Sequence, residues 1–346
     1  WQHVRLIGED LVEHELILAE DEPVTPEAMA ALLAAGVDEV AVVARPRLAV
    51  IPTGSELVAT QAELAPGKIL DVNSHMLCAA ACQCGSEARR CGIVPDDKTA
   101  LQAAVKNALA DSDLVVVNAG TSAGTEDHAW SALDTLGRVL VHGIATKPGK
   151  PVILALVDGK PVVGLPGYPV SAKLTFDLFV KPALYARQHK PLPKPGVLTG
   201  KLAKALPSEV GVEEYLRVVT GDGEDGKKIV PLGRGAGMIS SLVRADGFLT
   251  VPADCAGLAA GSLVTVTLSD RGLVEAPKLL AVGSHDLALD LLGMHLKRRC
   301  GARLACANVG SSAGVLAIRN GEAQLAGVHI LDEATGTYNL PYIRRM

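Results

Sequence analysis

The sequence predicts an α/β protein in three parts: a central three-layer α/β unit, a small β unit, and a partial α/β unit at the C-terminal end. Three observations lead there. Between Arg47 and Tyr185, short apolar runs alternate with helical patterns, as in a sheet covered by helices. Pro191, Pro193 and Pro195 then form a stiff connector, beyond which strand-like runs dominate. From Leu279 the alternation resumes. The expected division is 1–45, 46–190, 191–272 and 273–346.

Each element has its own signal. Thr25 is placed to cap a first helix, Pro26 suits its first turn, Glu27 favours its positive end, and Gly36 stops it. Arg47–Ile51 reads as a strand, and a helix follows from about Ser74 to Cys84. A strand near Ala88 to Val94 precedes a helix from about Lys98 to Leu109 and the buried strand Leu114–Val117. A helix around Trp130 to Leu136 and strands Val139–Val141, Val152–Leu156 and Val162–Leu165 come next. Pro169 opens a last helix, to about Tyr185. In the β unit, Leu216–Val219 and Lys228–Val230 flank the turn Gly221–Gly226 as a hairpin, and Leu263–Leu268 is a further strand. The tail reads as strand Leu280–Gly283, a helix from about Asp286 to Arg299, and a strand over Gly327–Leu331.

Composition narrows the function. At 346 residues and 49% apolar content the chain buries a sizeable core, built from Val, Leu, Ala and Ile because aromatics are only 3%. A net charge of −5 gives no basic footprint for nucleic acid. No apolar run approaches the ~18 residues of a membrane span. Seven cysteines, an odd number without framework spacing, favour free thiols, a reducing compartment and a cytoplasmic location. The chain opens on Trp1 and closes on Arg344-Arg345-Met346, and reads as a piece of a longer polypeptide.

The chemistry lies in the loops. Strand Leu114–Val117 empties through Asn118-Ala119 into Gly120-Thr121-Ser122-Ala123-Gly124-Thr125-Glu126-Asp127, followed by a helix. Backbone amides in such a loop face an anion without side-chain obstruction. Thr53-Gly54-Ser55-Glu56, Pro95-Asp96-Asp97, Thr146-Lys147-Pro148-Gly149-Lys150-Pro151 and Leu165-Pro166-Gly167-Tyr168-Pro169-Val170-Ser171 also fall beside predicted strand ends, where open α/β sheets bind ligands. Carboxylates suit Mg²⁺, lysines neutralise phosphate, and small loops grip oxyanions. Read separately, these features are ordinary: Asp96-Asp97 can cap a helix and Pro-Gly loops turn chains.

Together these segments, over about residues 4–270, resemble the molybdopterin molybdotransferases, the MoeA-type proteins that complete molybdenum cofactor assembly. The related CinA-type proteins share the first loop but usually carry a Gly-Pro-Thr-x-Asp-Asp version of the central one. The resemblance implies Mg²⁺-dependent insertion of molybdate into adenylylated molybdopterin, with release of AMP, by a homodimer. Positions matching the family's functional residues are Asp10, Glu56, Asp96, Asp127, Lys147 and Arg217. Glu56, Asp96 and Asp127 are the candidate Mg²⁺ ligands, while Lys147 and Arg217 would hold oxyanion or phosphate charge. Thr53, Gly54, Ser55, Gly120, Thr121, Ser122, Gly124, Lys150, Pro166, Gly167, Pro169 and Ser171 join Asp10 as candidate substrate-binding residues. The chain departs from the pattern at Ser55 (usually Asp), Gly143 (a second lysine in some members), Ala236 (commonly Ser) and Tyr168 (often Asn). The family's small domain inserted near the start is also absent. Two other functions therefore stay open: a molybdopterin- or oxyanion-binding module without turnover, and a CinA-like nucleotide hydrolase.

The tail resembles the first part of a periplasmic-binding-protein-like domain. Gly283-Ser284-His285-Asp286 and Gly310-Ser311-Ser312-Ala313-Gly314 would grip an oxyanion or simply cap helices. His75, Cys78 and Cys82 share a helix face, with Cys84 and Cys91 nearby. Without a Cys-x-x-Cys pair they read as buried thiols rather than a metal site. His128 beside Asp127 is a candidate general base, although a histidine at a helix start is more often a surface residue.

Overall fold

The computed structural model describes residues 3–4, 6–119, 128–223, 226–269, 272–273 and 276–345. Helix α1 (Pro26–Ala34) begins as the sequence predicts: Thr25 Oγ1 accepts the Ala28 N–H at 3.2 Å. Gly36, at φ +81°, follows its last turn. No residue of α1 is buried.

The central sheet runs β2-β1-β3-β7-β6-β4, with β1 Arg47–Pro52, β2 Glu87–Arg90, β3 Leu114–Ala119, β4 Arg138–His142, β6 Ile153–Val157 and β7 Lys160–Pro166. Strands β2, β1, β3 and β7 are parallel, and β6 runs against both neighbours. Side-chain alternation divides the core. Ala49, Ile51, Val115 and Val117 pack with Leu101, Val105 and Leu133 on one face; Leu48, Val50, Leu114 and Val116 pack with Leu77, Phe176 and Leu184 on the other. Burial on both faces explains why β1 and β3 read as unbroken apolar runs.

Helices α2 (Asn73–Gln83), α3 (Lys98–Asp111) and α4 (His128–Leu136) flank the sheet. The helix opened by Pro169 is interrupted: α5 (Pro169–Thr175) passes through a π turn, Phe176–Val180, into α6 (Lys181–Arg187). Pro182 has no N–H for the regular ladder, and the wider turn accommodates that gap. Strand β2 stops at Arg90, short of the predicted Val94, which makes only an isolated bridge to Thr53.

The β unit is a closed barrel. Strands β8 (Val197–Leu202), β9 (Glu213–Gly223), β10 (Gly226–Pro231), β11 (Gly247–Val251) and β12 (Leu263–Leu268) run β10-β8-β12-β11-β9, and β9 pairs back with β10. The hairpin turn is shorter than predicted, because pairing continues to Gly223 opposite Gly226. Short strand β5 (Thr146–Lys147) leaves the central unit and joins β9, with Glu213 opposite Thr146 and Glu214 opposite Lys147. That pairing anchors the lysine loop to the barrel. Helix α7 (Ile239–Arg244) crosses the barrel's end beside β9.

In the tail, β13 (Lys278–Gly283) and β14 (Arg303–Asn308) pair in parallel, beside α8 (Leu287–Cys300) and α9 (Ser311–Arg319). A last helix, α10, spans Leu340–Arg345. The predicted strand Gly327–Leu331 does not form; only Leu331–Asp332 pairs, with Thr337–Tyr338. The preceding segment instead satisfies the end of β13, where the Gly327 carbonyl accepts the Ser284 N–H at 2.8 Å. Val219 and Val230 of the barrel share an apolar core with Leu280, Val282, Ala305 and Ala307 of the tail.

Candidate functional site

Parallel strands bring the loops at Thr53, Asp96 and Gly167 to one end of the sheet. The Thr53 N–H donates to the Asn118 carbonyl at 2.9 Å, linking the ends of β1 and β3. Asn118 Nδ2 donates to the Pro166 carbonyl at 2.8 Å, linking β3 to β7. Beyond Thr53, Gly54 sits at φ +149°, and a Cβ there would lie 2.8 Å from the Glu56 carboxylate. Ser55 and Asp96 are paired: the Ser55 N–H donates to Asp96 Oδ2 at 3.0 Å, and the Asp96 N–H to Ser55 Oγ at 3.3 Å. The serine that departs from the family pattern therefore anchors the Asp96 loop. Asp97 caps α3, its Oδ1 accepting from the Ala100 N–H at 2.7 Å. Gly120, Thr121, Ser122, Gly124 and Asp127 lie outside the described residues.

A cleft of about 550 Å³ opens between the 144–151 loop and the barrel. Lys147, Lys150 and Ser171 line it from the central unit, and Glu209, Glu214, Arg217 and Arg234 from the barrel. The loop needs glycine at 149: φ is +113°, and an added Cβ would sit 2.8 Å from Thr175 Cγ2. Lys147 Nζ stands 4.0 Å from Glu209. Thr146 Oγ1 is buried without a hydrogen-bond partner among the described residues.

Arg217, on β9, is only 1% exposed. Its Nε donates to Ser241 Oγ at 3.0 Å, and Nη2 donates to the carbonyls of Gly235, at 3.1 Å, and Gly233. Burial lowers its pKa, as expected for a cation held away from water. It has no carboxylate partner among the described residues. Glu214, 3% exposed, is by contrast paired with Arg234 Nε at 3.2 Å and accepts from Ser208 Oγ at 2.9 Å.

The sequence reading missed Arg234 and Glu214. The signal for Arg234 was the run Gly233-Arg234-Gly235-Ala236-Gly237, which supplies Arg234 and Ala236 to the cleft lining; Glu214 had none. Ala236 also closes the cleft, its carbonyl accepting the Val170 N–H at 3.0 Å in the first turn of α5. Pro166 ends β7, Pro169 begins α5, and Gly167 lies between them. Asp10 is exposed in the N-terminal segment and is not among the residues lining the cleft.

No three His, Cys, Asp or Glu side chains gather in a metal-binding group among the described residues. Cys78 has its thiol pushed up to about 11, chiefly by burial. Cys82 of the same helix is exposed, against the expectation of a buried thiol. In the tail, Asp286 caps α8 through the Ala288 N–H at 2.7 Å, and Ser311 Oγ accepts the His329 N–H at 3.0 Å. No helix is long and apolar enough to cross a membrane among the described residues.

A mostly parallel sheet with loops gathered at one end, beside a cleft shared with a barrel, defines an α/β protein whose candidate site lies at the strand ends. Comparison with known families narrows the class. A probable molybdopterin binding domain matches residues 49–186, a MoeA C-terminal region (domain IV) residues 199–269, and a PBP superfamily domain residues 293–346. Molybdopterin molybdenumtransferase 2 of Mycobacterium tuberculosis is 32% identical over 273 residues, covering 77% of this chain and 67% of its own. A protein of Methanocaldococcus jannaschii named for molybdopterin biosynthesis is 31% identical, over 77% of this chain and 66% of its own. The crystal structure of a molybdopterin biosynthesis MoeA protein from Pyrococcus horikosii superposes with a TM-score of 0.63 at 36% identity, covering 75% of this chain and 64% of that one. The chain belongs to the MoeA-type family of molybdenum cofactor biosynthesis proteins. It spans about two thirds of the length of the curated relatives it matches.

Proposed function

We propose that the chain carries the molybdotransferase site of its family: insertion of molybdate into adenylylated molybdopterin, with cleavage of the phosphoanhydride and release of AMP. The observation that carries this reading is Arg217, a buried cation without a carboxylate partner among the described residues, in the lining of the same cleft as Lys147 and Lys150. Such a charge favours the tetrahedral oxyanion and the phosphate negative charge that grows as the anhydride breaks. Lys147 and Lys150 supply further positive charge from the central unit, and the Glu214–Arg234 pair fixes the opposite wall. The pterin lies toward the ends of β3 and β7, beside Asn118 and Gly167.

Mg²⁺ usually binds through one or two carboxylates, substrate phosphates and water. Glu56 and Asp96, hard oxygen donors brought to one loop pair by the Ser55–Asp96 bonds, fit that requirement. When bound there, Mg²⁺ would neutralise the phosphoanhydride. A cytoplasmic homodimer belongs to the same proposal.

The test is AMP release from adenylylated molybdopterin with molybdate and Mg²⁺. Arg217→Met and Asp96→Ala should each lower the rate by roughly 10²-fold or more. Unchanged AMP release in both variants would refute the assignment.

A further inference from the structure

Asn73 opens α2 beside the carboxyl ends of β3 and β7 and is 7% exposed. Its Nδ2 donates to Asn118 Oδ1 at 3.0 Å and to the Gly167 carbonyl at 2.6 Å. Asn118 is itself oriented by backbone carbonyls, because its Nδ2 donates to Pro166 at 2.8 Å and to Leu165 at 3.4 Å. The direction of both amides follows. Turning the Asn73 carboxamide over would set its oxygen against two acceptors.

Both Asn73 amide hydrogens are therefore engaged, and Oδ1 is left buried with no hydrogen-bond partner among the described residues. Native proteins leave few such acceptors unpaired. The side chain also starts from a well-anchored backbone. The Ser74 N–H donates to Asp71 Oδ1 at 3.1 Å, Arg90 Nη2 to Asp71 Oδ2 at 3.1 Å, and Arg90 Nε to Ser74 Oγ at 2.7 Å. Asp71 and Ser74 are both buried.

We infer that Asn73 is a specificity-determining residue whose Oδ1 accepts an N–H from the ligand's heterocycle. The inference rests on the proposed pterin site and deepens it. The pyrimidine ring of a pterin presents an exocyclic amine and a ring N–H, the donors that this acceptor lacks. Buried as it is, Oδ1 pairs with such a donor without competition from water. A ring edge bearing only acceptors leaves it unpaired.

The experiment is calorimetric titration of the full chain with three probes. These are 6-hydroxymethylpterin, its lumazine counterpart (an oxygen in place of the amine) and its N3-methyl derivative. The unsubstituted protein should bind the pterin more tightly than at least one of the other two, by roughly tenfold or more. Asn73→Ala should level that preference. Asn73→Ser keeps a hydroxyl for the Gly167 carbonyl, guards against loss of folding, and should level it equally. A merely structural role would weaken all three probes by one factor and leave the preference intact. If the preference survives in a folded variant, the inference is overturned while the pterin site stands. If the unsubstituted protein binds none of the three, the pterin site fails and the inference with it.

Discussion

Replacing Arg217 by methionine separates the folding role of this residue from its binding role. The substitution takes a donor from the Gly233 and Gly235 carbonyls and from Ser241 Oγ. At about 1 kcal/mol for each unpaired neutral group, that costs about 3 kcal/mol. Against it stands relief of the several-kcal/mol penalty for holding a guanidinium out of water, at a residue only 1% exposed. The two nearly cancel, so stability should change by less than about 2 kcal/mol. Binding has no such offset. A unit charge about 4 Å from an anion, at an effective dielectric near 20, contributes about 4 kcal/mol. With between none and half of that returned by water entering the variant cleft, molybdate affinity should fall roughly 30-fold to 1000-fold. Calorimetric titration with molybdate, beside urea unfolding, reads both quantities. Affinity within threefold of the unsubstituted protein would refute the anion role. A stability loss above about 4 kcal/mol, with affinity retained, would make Arg217 a structural residue.

Other perturbations test other parts of the molecule. Gly149→Ala combines φ +113° with a 2.8 Å approach to Thr175, so urea unfolding should show a loss of about 2–3 kcal/mol. Gly159→Ala, at φ +75° in open space, should lose only about 1 kcal/mol, and equal losses would remove the contact argument. Asp246 takes Arg303 at 3.1 Å and Lys278 at 3.7 Å and is almost fully buried, so Asp246→Asn removes a buried carboxylate charge that both cations share. The expected destabilisation is about 3 kcal/mol by denaturant titration, and a loss below 1 kcal/mol would contradict it. With its thiol pushed to about 11, Cys78 is almost wholly protonated at pH 8 and should alkylate far more slowly than exposed Cys300. Mass-spectrometric labelling at equal rates would show that its burial does not control reactivity.

Local signals carried most of the fold. Thr25-Pro26-Glu27 and Gly36 marked α1, and the runs Leu48–Ile51 and Leu114–Val117 marked strands buried on both faces. The π turn at Phe176–Val180 was not legible, since an apolar helical pattern looks the same with one residue inserted in a turn. Gly327–Leu331 looked like a strand because its composition suits one, but its neighbours satisfied β13 instead. At the site, Lys147, Lys150, Ser171 and Arg217 were chosen from motifs, and the structure brings them to one cleft. Arg234 and Glu214 were passed over because nothing nearby in the chain pairs them; β9 supplies Glu214, the segment after β10 supplies Arg234, and they meet through the fold.

By itself the sequence determined the α/β class, the positions of the loops and the family, because hydrophobic period, caps and turn residues act over a few neighbouring positions. Tertiary structure alone decided which charges remain uncompensated. Arg217 and Glu214 sit three positions apart on β9, yet among the described residues Glu214 meets Arg234 and Ser208 while Arg217 meets only carbonyls and a hydroxyl. It also decided which way the Asn73 amide faces, since that depends on carbonyls nearly a hundred residues away. Burial and hydrogen-bond balance are properties of the assembled neighbourhood, and residues distant in the chain create it.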